Sequence, residues 1–283
     1  MRISGKDLSA SMKAEMAEDV ARLTEQYGRA PHLAVILVGE EPGSVSYVTG
    51  KAKACEVVGI TNTTIRLDVS VSQQELLDEV TRLNNDENVD GILVQLPLPS
   101  HIDKNTVIQT IAVEKDVDGF HPDNVSRLWQ GRDCTVPCTP KGIMKLLRQT
   151  GESISGKTAV VVGRSSIVGL PVAKLLLDAN ATVTVAHSRT ADLGSVTRLA
   201  DILVVAVGHP HTVTADMVKP GAVVIDVGVN RNPETGKLCG DVDTEAVEAV
   251  CSYITPVPGG VGPMTIACLM ENTIEAFKNK KRP

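Results

Sequence analysis

One stretch, residues 156–190 (GKTAVVVGRSSIVGLPVAKLLLDANATVTVAHSRT), leaves the chain few folds to choose from. Residues 158–162 form a short apolar, β-branched run, of the kind buried on both faces of a parallel sheet. The run stops at Gly163, and small and polar residues carry the chain to Gly169. Val168, Val172, Leu175, Leu176 and Ala179 then recur at helical spacing, with Pro171 in the first turn, where a missing N–H costs nothing. A second apolar run at 182–186 closes a strand–helix–strand unit. Such a unit offers free backbone N–H groups and a positive helix end to an anion, most often a dinucleotide pyrophosphate.

The fit to GxGxxG is imperfect. Gly163 takes the place of the first glycine, Ser165 replaces the second, and Gly169 comes one residue late. Spacing alone therefore also suits a βαβ unit that binds no nucleotide. The end of the second strand adds chemistry. An NAD site usually carries an Asp or Glu there for the ribose hydroxyls, whereas this chain reads His187-Ser188-Arg189-Thr190. A carboxylate would repel a 2′-phosphate; a hydroxyl with a guanidinium would hold it, and Arg164 in the turn adds a second positive charge. NADP is the expected cofactor.

At 283 residues and 42% hydrophobic content the chain can bury a large core, expected in two domains. Aromatics are only 2%, so that core must rest on Val, Ile, Leu and Ala, as in parallel sheets covered by helices. The expected class is α/β. Net charge is −6 with Lys and Arg dispersed, which presents no basic face to nucleic acid. The one basic run, 278–282, reads as a solvated terminus. Six cysteines lack a CxxC pair; Cys134 and Cys138 are four apart, but nothing completes a zinc site, so no metal is expected and the thiols read as reduced and structural. The N-terminus has no apolar signal core and no run reaches about 18 apolar residues, so a cytoplasmic protein without membrane contact is expected.

Before the dinucleotide stretch, the pattern predicts a helix over 6–27, a strand over 33–38, and a turn-rich loop at 39–43. A helix capped by Ser44 then runs to about Val58, with Gly59 as its stop. At about 100° per residue, Val45, Val48, Ala52 and Cys55 form one apolar stripe, with Tyr47, Lys51, Ala54 and Val58 beside it. Lys53 points to solvent. Lys51 lies on the border of the buried face, four residues after Tyr47. It reads either as a snorkelling lysine or as a functional one. Strands follow at 63–69 and 89–96, around a helix that begins with a Ser72/Glu75 capping box. Gln95 near the end of the second of these strands shares the carboxyl edge of the sheet with the 39–43 loop, where open α/β sheets bind ligands.

Residues 114–124 (EKDVDGFHPDN) read as an acidic turn broken by Gly119 and Pro122. Asp116 and Asp118 are two apart without an EF-hand pattern, which rejects calcium; such a carboxylate could pair with an amidine-like group. The expected domain division is 1–138 and 139–263, the first completed by a returning helix over 264–283 with a cleft between the two lobes. Strands are expected at 202–207 and 222–227, ending in Gly208 and Gly228, with His209 and His211 on the loop surface. The Pro258–Gly262 loop presents bare backbone suited to a flat ligand.

Six segments together resemble one family. They are Tyr47-Val-Thr-Gly-Lys51-Ala-Lys-Ala, Gly91-Ile-Leu-Val-Gln95-Leu-Pro-Leu-Pro99, Lys115-Asp-Val-Asp118-Gly-Phe, Pro137-Cys-Thr-Pro-Lys-Gly142, Gly163-Arg-Ser-Ser-Ile-Val-Gly-Leu-Pro171 and Pro256-Val-Pro-Gly-Gly-Val-Gly-Pro-Met-Thr265. In this order they resemble the bifunctional methylenetetrahydrofolate dehydrogenase/methenyltetrahydrofolate cyclohydrolase family, in its short two-domain form without the ligase domain. The resemblance implies NADP-linked oxidation of a methylene-bridged tetrahydrofolate, then hydrolysis to 10-formyltetrahydrofolate, in one-carbon metabolism that feeds purine, histidine and methionine synthesis. It also implies a homodimer.

By the same resemblance Lys51 is the cyclohydrolase lysine, Tyr47 stacks on the folate ring, Gln95 positions Lys51, and Asp118 pairs with the pterin amino and ring N–H groups. Pro258, Gly259, Gly260 and Thr265 line the folate side, while Gly163, Arg164, Ser165, Ser188 and Val229 contact the cofactor. Arg164 is not uniform in the family, and Arg189 is added here from charge alone. Two other readings stay open on residues alone: a Schiff-base lyase using Lys51, and a non-catalytic NADP-binding protein.

Overall fold

The computed structural model describes residues 1–232 and 236–281; Arg282, the last residue of the basic run, lies outside the described residues. By its internal contacts the chain divides into two compact units. One holds Ala10–Cys138 and the chain from Ile266 onward; the other holds Met1–Ser9 and Thr139–Thr265.

The first unit contains α1 (Gly5–Tyr27, from Ala10 on), β1 (His32–Val38), α2 (Pro42–Val58), β2 (Thr61–Leu67), α3 (Gln73–Asn85), β3 (Gly91–Val94), α4 (Lys104–Thr110) and α5 (Pro122–Trp129). Its sheet is parallel, in the order β2-β1-β3. The apolar run of β1 is central and buried on both faces. Leu33, Val35 and Leu37 join a core with α1, α2 and the later helix residues Leu269, Met270, Ile274 and Phe277. Ala34, Ile36 and Val38 point the other way, onto Leu76, Val80 and Leu83 of α3. Alternation of period two thus serves two cores.

Several boundaries differ from expectation, each for a local reason. Helix α2 starts at Pro42, and Glu41 caps it by accepting from the N–H groups of Gly43 (3.0 Å) and Ser44 (2.6 Å); Ser44 itself is buried in the first turn. Those backbone hydrogen bonds hold the Glu41 carboxyl below its usual range. At the other end Gly59 takes φ 84°, a left-handed stop that glycine adopts without strain. Strand β3 ends at Val94 because its register with β1 runs only from Leu33↔Gly91 to Ile36↔Val94, and β2 begins two residues early, at Thr61 opposite His32. Helices α4 and α5, of seven and eight residues, were not anticipated; two turns give too few apolar repeats to register as periodicity.

In the second unit, α6 (Cys138–Gln149) leads to β4 (Thr158–Val162), α7 (Gly169–Asp178), β5 (Thr182–Ala186), α8 (Leu193–Thr197), β6 (Ile202–Val205) and β7 (Val223–Asp226). A small antiparallel pair, β8 (Asn230–Arg231) and β9 (Leu238–Cys239), follows, then α9 (Thr244–Glu248), β10 (Tyr253–Ile254) and the first residues of α10 (Val261–Lys280). The five-stranded sheet is parallel, in the order β10-β7-β6-β4-β5. The chain therefore reverses direction across the sheet between β4 and β6, the switch point at which doubly wound folds bind ligands. Helix α10 begins at Val261, so Gly262 and Pro263 lie in its first turn and not in a loop; its later residues complete the first unit's core. None of the described helices is long and apolar enough to cross a membrane.

Candidate functional site

The dinucleotide site is built from backbone. Two glycines at its centre are packing requirements. A Cβ on Gly163 (φ 124°) would stand 2.2 Å from the Ala206 carbonyl oxygen, and one on Gly169 would stand 2.2 Å from the Gly163 carbonyl oxygen. The six-residue glycine spacing thus lets the start of α7 sit against the end of β4, and the end of β4 against β6. Ser165, where GxGxxG has a glycine, accepts from the N–H groups of Val168 and Gly169 (both 3.2 Å), so its hydroxyl ties the turn to the first residue of α7.

Beside this turn lies a pocket of 470 Å³ lined by Val162, Gly163, Arg164, Ser165, His187, Ser188, Leu193, Ala206, Val207, His209 and Thr212. It occupies the carboxyl ends of β4, β5 and β6. The expected residues Gly163, Arg164, Ser165 and Ser188 come together here. Arg189 and Val229 are not among the lining residues: Arg189 is exposed with its N–H donated to His187 Nδ1 (3.1 Å), and Val229 is 49% exposed beyond β7. His209, expected only on the loop surface, is exposed and also lines the pocket, as does Thr212. No acid is among the described residues that line the pocket, which suits a 2′-phosphate. A glycine cradle, a helix start and an acid-free rim fit NADP.

The first unit gathers side chains instead. Lys51 on α2 is only 7% exposed, and its Nζ donates to Gln95 Oε1 at 2.9 Å. Gln95 follows directly on β3: its backbone N–H donates to Ile36 (2.9 Å), and its Nε2 donates to the Leu96 carbonyl (2.6 Å). That second bond fixes the amide so that its oxygen faces the lysine. Burial pushes the Lys51 ammonium down; Asp118 and Cys138 oppose the shift. Burial likewise raises the Asp118 carboxyl to about 6, against the stabilising charge of Lys51 and with Asp116 adding repulsion. Tyr47, one turn before Lys51, is 43% exposed and free to present its ring.

The turn that carries Asp118 is held by groups for which the sequence suggested no structural role. Asp116 is buried and accepts from the N–H groups of Gly119 (3.0 Å), Phe120 (3.3 Å) and His121 (2.8 Å), and from Asn124 Nδ2 (2.8 Å). Lys115 is buried too and donates to the carbonyls of Leu83, Asn84 and Asp86 (2.9, 2.8 and 2.7 Å). Cys138 donates its thiol to the Val117 carbonyl (3.2 Å) and also hydrogen-bonds Asp118. The acid-rich composition of 114–124 was the visible signal; which acid organises the turn was not.

Pro258, Gly259, Gly260 and Thr265 belong to the second unit. Gly259 has φ 105°, its carbonyl accepts from Lys6 N–H (2.9 Å), and a Cβ on Gly5 would stand 1.8 Å from the Gly260 carbonyl oxygen. The bare backbone here therefore also seats the N-terminus. Thr265 shares a 2.9 Å hydrogen bond with Thr139.

Sheet order and pocket place the chain among the Rossmann-like dinucleotide-binding α/β proteins. Comparison with known proteins makes the assignment specific. Residues 3–118 match the tetrahydrofolate dehydrogenase/cyclohydrolase catalytic domain, and residues 137–281 match the NAD(P)-binding domain of the same name. The chain belongs to the tetrahydrofolate dehydrogenase/cyclohydrolase family. It is 56% identical over 276 residues to the bifunctional protein FolD of Bacillus anthracis, covering 98% of this chain and 96% of that one. Among solved structures it is similar to the bifunctional FolD enzyme of Campylobacter jejuni (51% identity, TM-score 0.96, 99% of each chain). It is similar also to the Trypanosoma brucei enzyme, described in complex with NADP cofactor and inhibitor (43% identity, TM-score 0.96, covering 100% of this chain and 99% of that one).

Proposed function

We propose that the protein oxidises 5,10-methylenetetrahydrofolate to the 5,10-methenyl compound with NADP, and hydrolyses the product to 10-formyltetrahydrofolate. The observation that carries this reading is the buried Lys51 amine, held by Gln95 and lowered in basicity, in a chain whose other unit has an acid-free dinucleotide pocket.

NADP supplies the hydride acceptor when bound. Oxidation needs no strong base, because the N5 and N10 lone pairs of the folate expel the hydride and share the positive charge left on the bridging carbon. Gly163 and Gly169 allow the close approach of backbone to the pyrophosphate, and Ser188 with Arg164 holds the 2′-phosphate; Arg189 and Val229 approach from its edge. Tyr47 stacks on the folate ring, and ionised Asp118 accepts two N–H groups from its amidine-like edge. Pro258, Gly259, Gly260 and Thr265 line the folate.

Hydrolysis needs a proton acceptor near neutral pH. Neutral Lys51 takes a proton from water as the water oxygen bonds to the methenyl carbon. The same group returns a proton to N5 as the C–N5 bond breaks and the carbinol hydroxyl releases its proton to solvent water, leaving the formyl group on N10. Gln95 holds the amine in place through both transfers. A homodimer acting in the cytoplasm belongs to the same proposal and rests on family membership.

The test is spectroscopic: 5,10-methylenetetrahydrofolate is mixed with the protein and either NADP or NAD, and methenyltetrahydrofolate absorbance is followed. The expected trace rises faster with NADP and then decays to 10-formyltetrahydrofolate. A trace that never rises with either dinucleotide would overturn the proposal, and a faster rise with NAD would overturn the 2′-phosphate assignment.

A further inference from the structure

Two fully buried carboxylates in the second unit have no role in the reading above, yet they hold a wall of the dinucleotide pocket. Asp241 is 0% exposed. Its Oδ2 accepts from the N–H groups of Val207 (2.7 Å) and Gly208 (3.0 Å), directly after β6, and its Oδ1 accepts from Asn230 Nδ2 (2.8 Å) at the start of β8. Asp226, at the end of β7, accepts in turn from the N–H groups of Asp241 (2.9 Å), Val242 (3.0 Å) and Gly228 (3.0 Å). The approach is close enough to demand glycine on both sides: a Cβ on Gly228 would stand 2.1 Å from Asp241 Oδ1, and one on Gly240 would stand 1.7 Å from Asp226 Oδ2.

We infer that Asp241 is a positioning residue for the cofactor, acting through Val207–Gly208 on one side and Asn230 on the other. Val207 and, beyond Gly208, His209 and Thr212 line the pocket, so the carboxylate sets the wall contributed by β6. Val229 lies between Gly228 and Asn230, both of which are held by this carboxylate pair. A single charged group with three donors to satisfy fixes the spacing of these two loops more firmly than a neutral acceptor would. Asp226 supports Asp241 from below, and burial raises its own carboxyl to about 7.

The inference rests on the reading of this pocket as an NADP site, and donor–acceptor polarity provides its test. In Asp241→Asn the amide oxygen still accepts from Val207 and Gly208, but its NH₂ then meets the NH₂ of Asn230. Asn230→Asp alone sets two carboxylates against each other. Together, Asn230→Asp with Asp241→Asn restores a donor facing an acceptor. Steady-state kinetics on the full chain should give a KM for NADP raised about tenfold in each single variant, with kcat and NADP-free hydrolysis of methenyltetrahydrofolate unchanged. The double variant should recover most of that loss. A KM moved less than about twofold in Asp241→Asn would overturn the inference, as would parallel losses of KM, kcat and hydrolysis, or a double variant no better than the worse single one. No NADP-dependent turnover in the parent would instead overturn the proposed function.

Discussion

The two parallel sheets follow one topological rule and use it in different ways. In each, the second strand flanks the first on one side and the third flanks it on the other, so both have a switch point beside their first strand. At the dinucleotide switch point the chain presents backbone: glycines that cannot tolerate a methyl group, a serine hydroxyl spent on tying the turn to α7, and N–H groups fixed by a buried aspartate. At the other switch point it presents side chains, those of Lys51 and Gln95, with Asp118 on a nearby turn. A cofactor shared by many reactions can be held by its phosphates and ribose. Chemistry at one carbon needs a titratable group of altered basicity, which takes burial and neighbouring charge.

This difference can be broken in either unit. In the dinucleotide unit the largest effect is expected from Gly169→Ala, where the new Cβ meets the Gly163 carbonyl oxygen at 2.2 Å. Overpacking against backbone costs up to about 3 kcal/mol, so NADP affinity in a direct titration should fall by about 100-fold. Hydrolysis of methenyltetrahydrofolate supplied without cofactor should persist, because Lys51 and Gln95 belong to the other unit. Loss of both together would mean that the two sites are not separately built.

A smaller effect is expected from pH in the lysine unit. In the proposed function Asp118 accepts from the folate as a carboxylate, and burial raises its carboxyl to about 6. Protonation below that point removes the acceptor, so KM for the folate should rise about tenfold per pH unit as pH falls from 6 to 4. Substrate KM measured across this range with Asp118→Asn alongside would separate the effect, since the variant should show a raised and nearly flat KM. A parent profile that is itself flat through pH 6 would remove Asp118 from folate binding.

The asymmetry also explains what could be read from the sequence. The strand–helix–strand unit was legible because its constraints are local: β4 and β5 fall at 158–162 and 182–186 as their apolar runs predicted, and Gly163 and Gly169 are required by neighbours close in sequence or in the sheet. From helical periodicity Lys51 was legible only as a lysine on the wrong side of a helix, because Gln95 lies 44 residues away; their pairing was implied by the family resemblance alone. Asp241 was invisible for the same reason, and Asp116 was visible only as one of the acids of 114–124, without its role. Each is an ordinary acid whose partners, one asparagine amide aside, are backbone N–H groups, and a backbone donor leaves no mark in sequence. The cap of α2 was misplaced because Ser44 is the better cap by composition, whereas Pro42 at the first helical position shifts that task to Glu41.

The central claim is that Lys51 carries out the water chemistry in a unit distinct from the one that holds the cofactor. It is tested most directly by measuring methenyltetrahydrofolate hydrolysis and NADP binding on the same preparation of Lys51→Ala. Removing a general acid–base group should lower the hydrolysis rate by about 10² to 10⁴-fold. The dissociation constant for NADP should match that of the parent. A hydrolysis rate that survives the substitution would contradict the account.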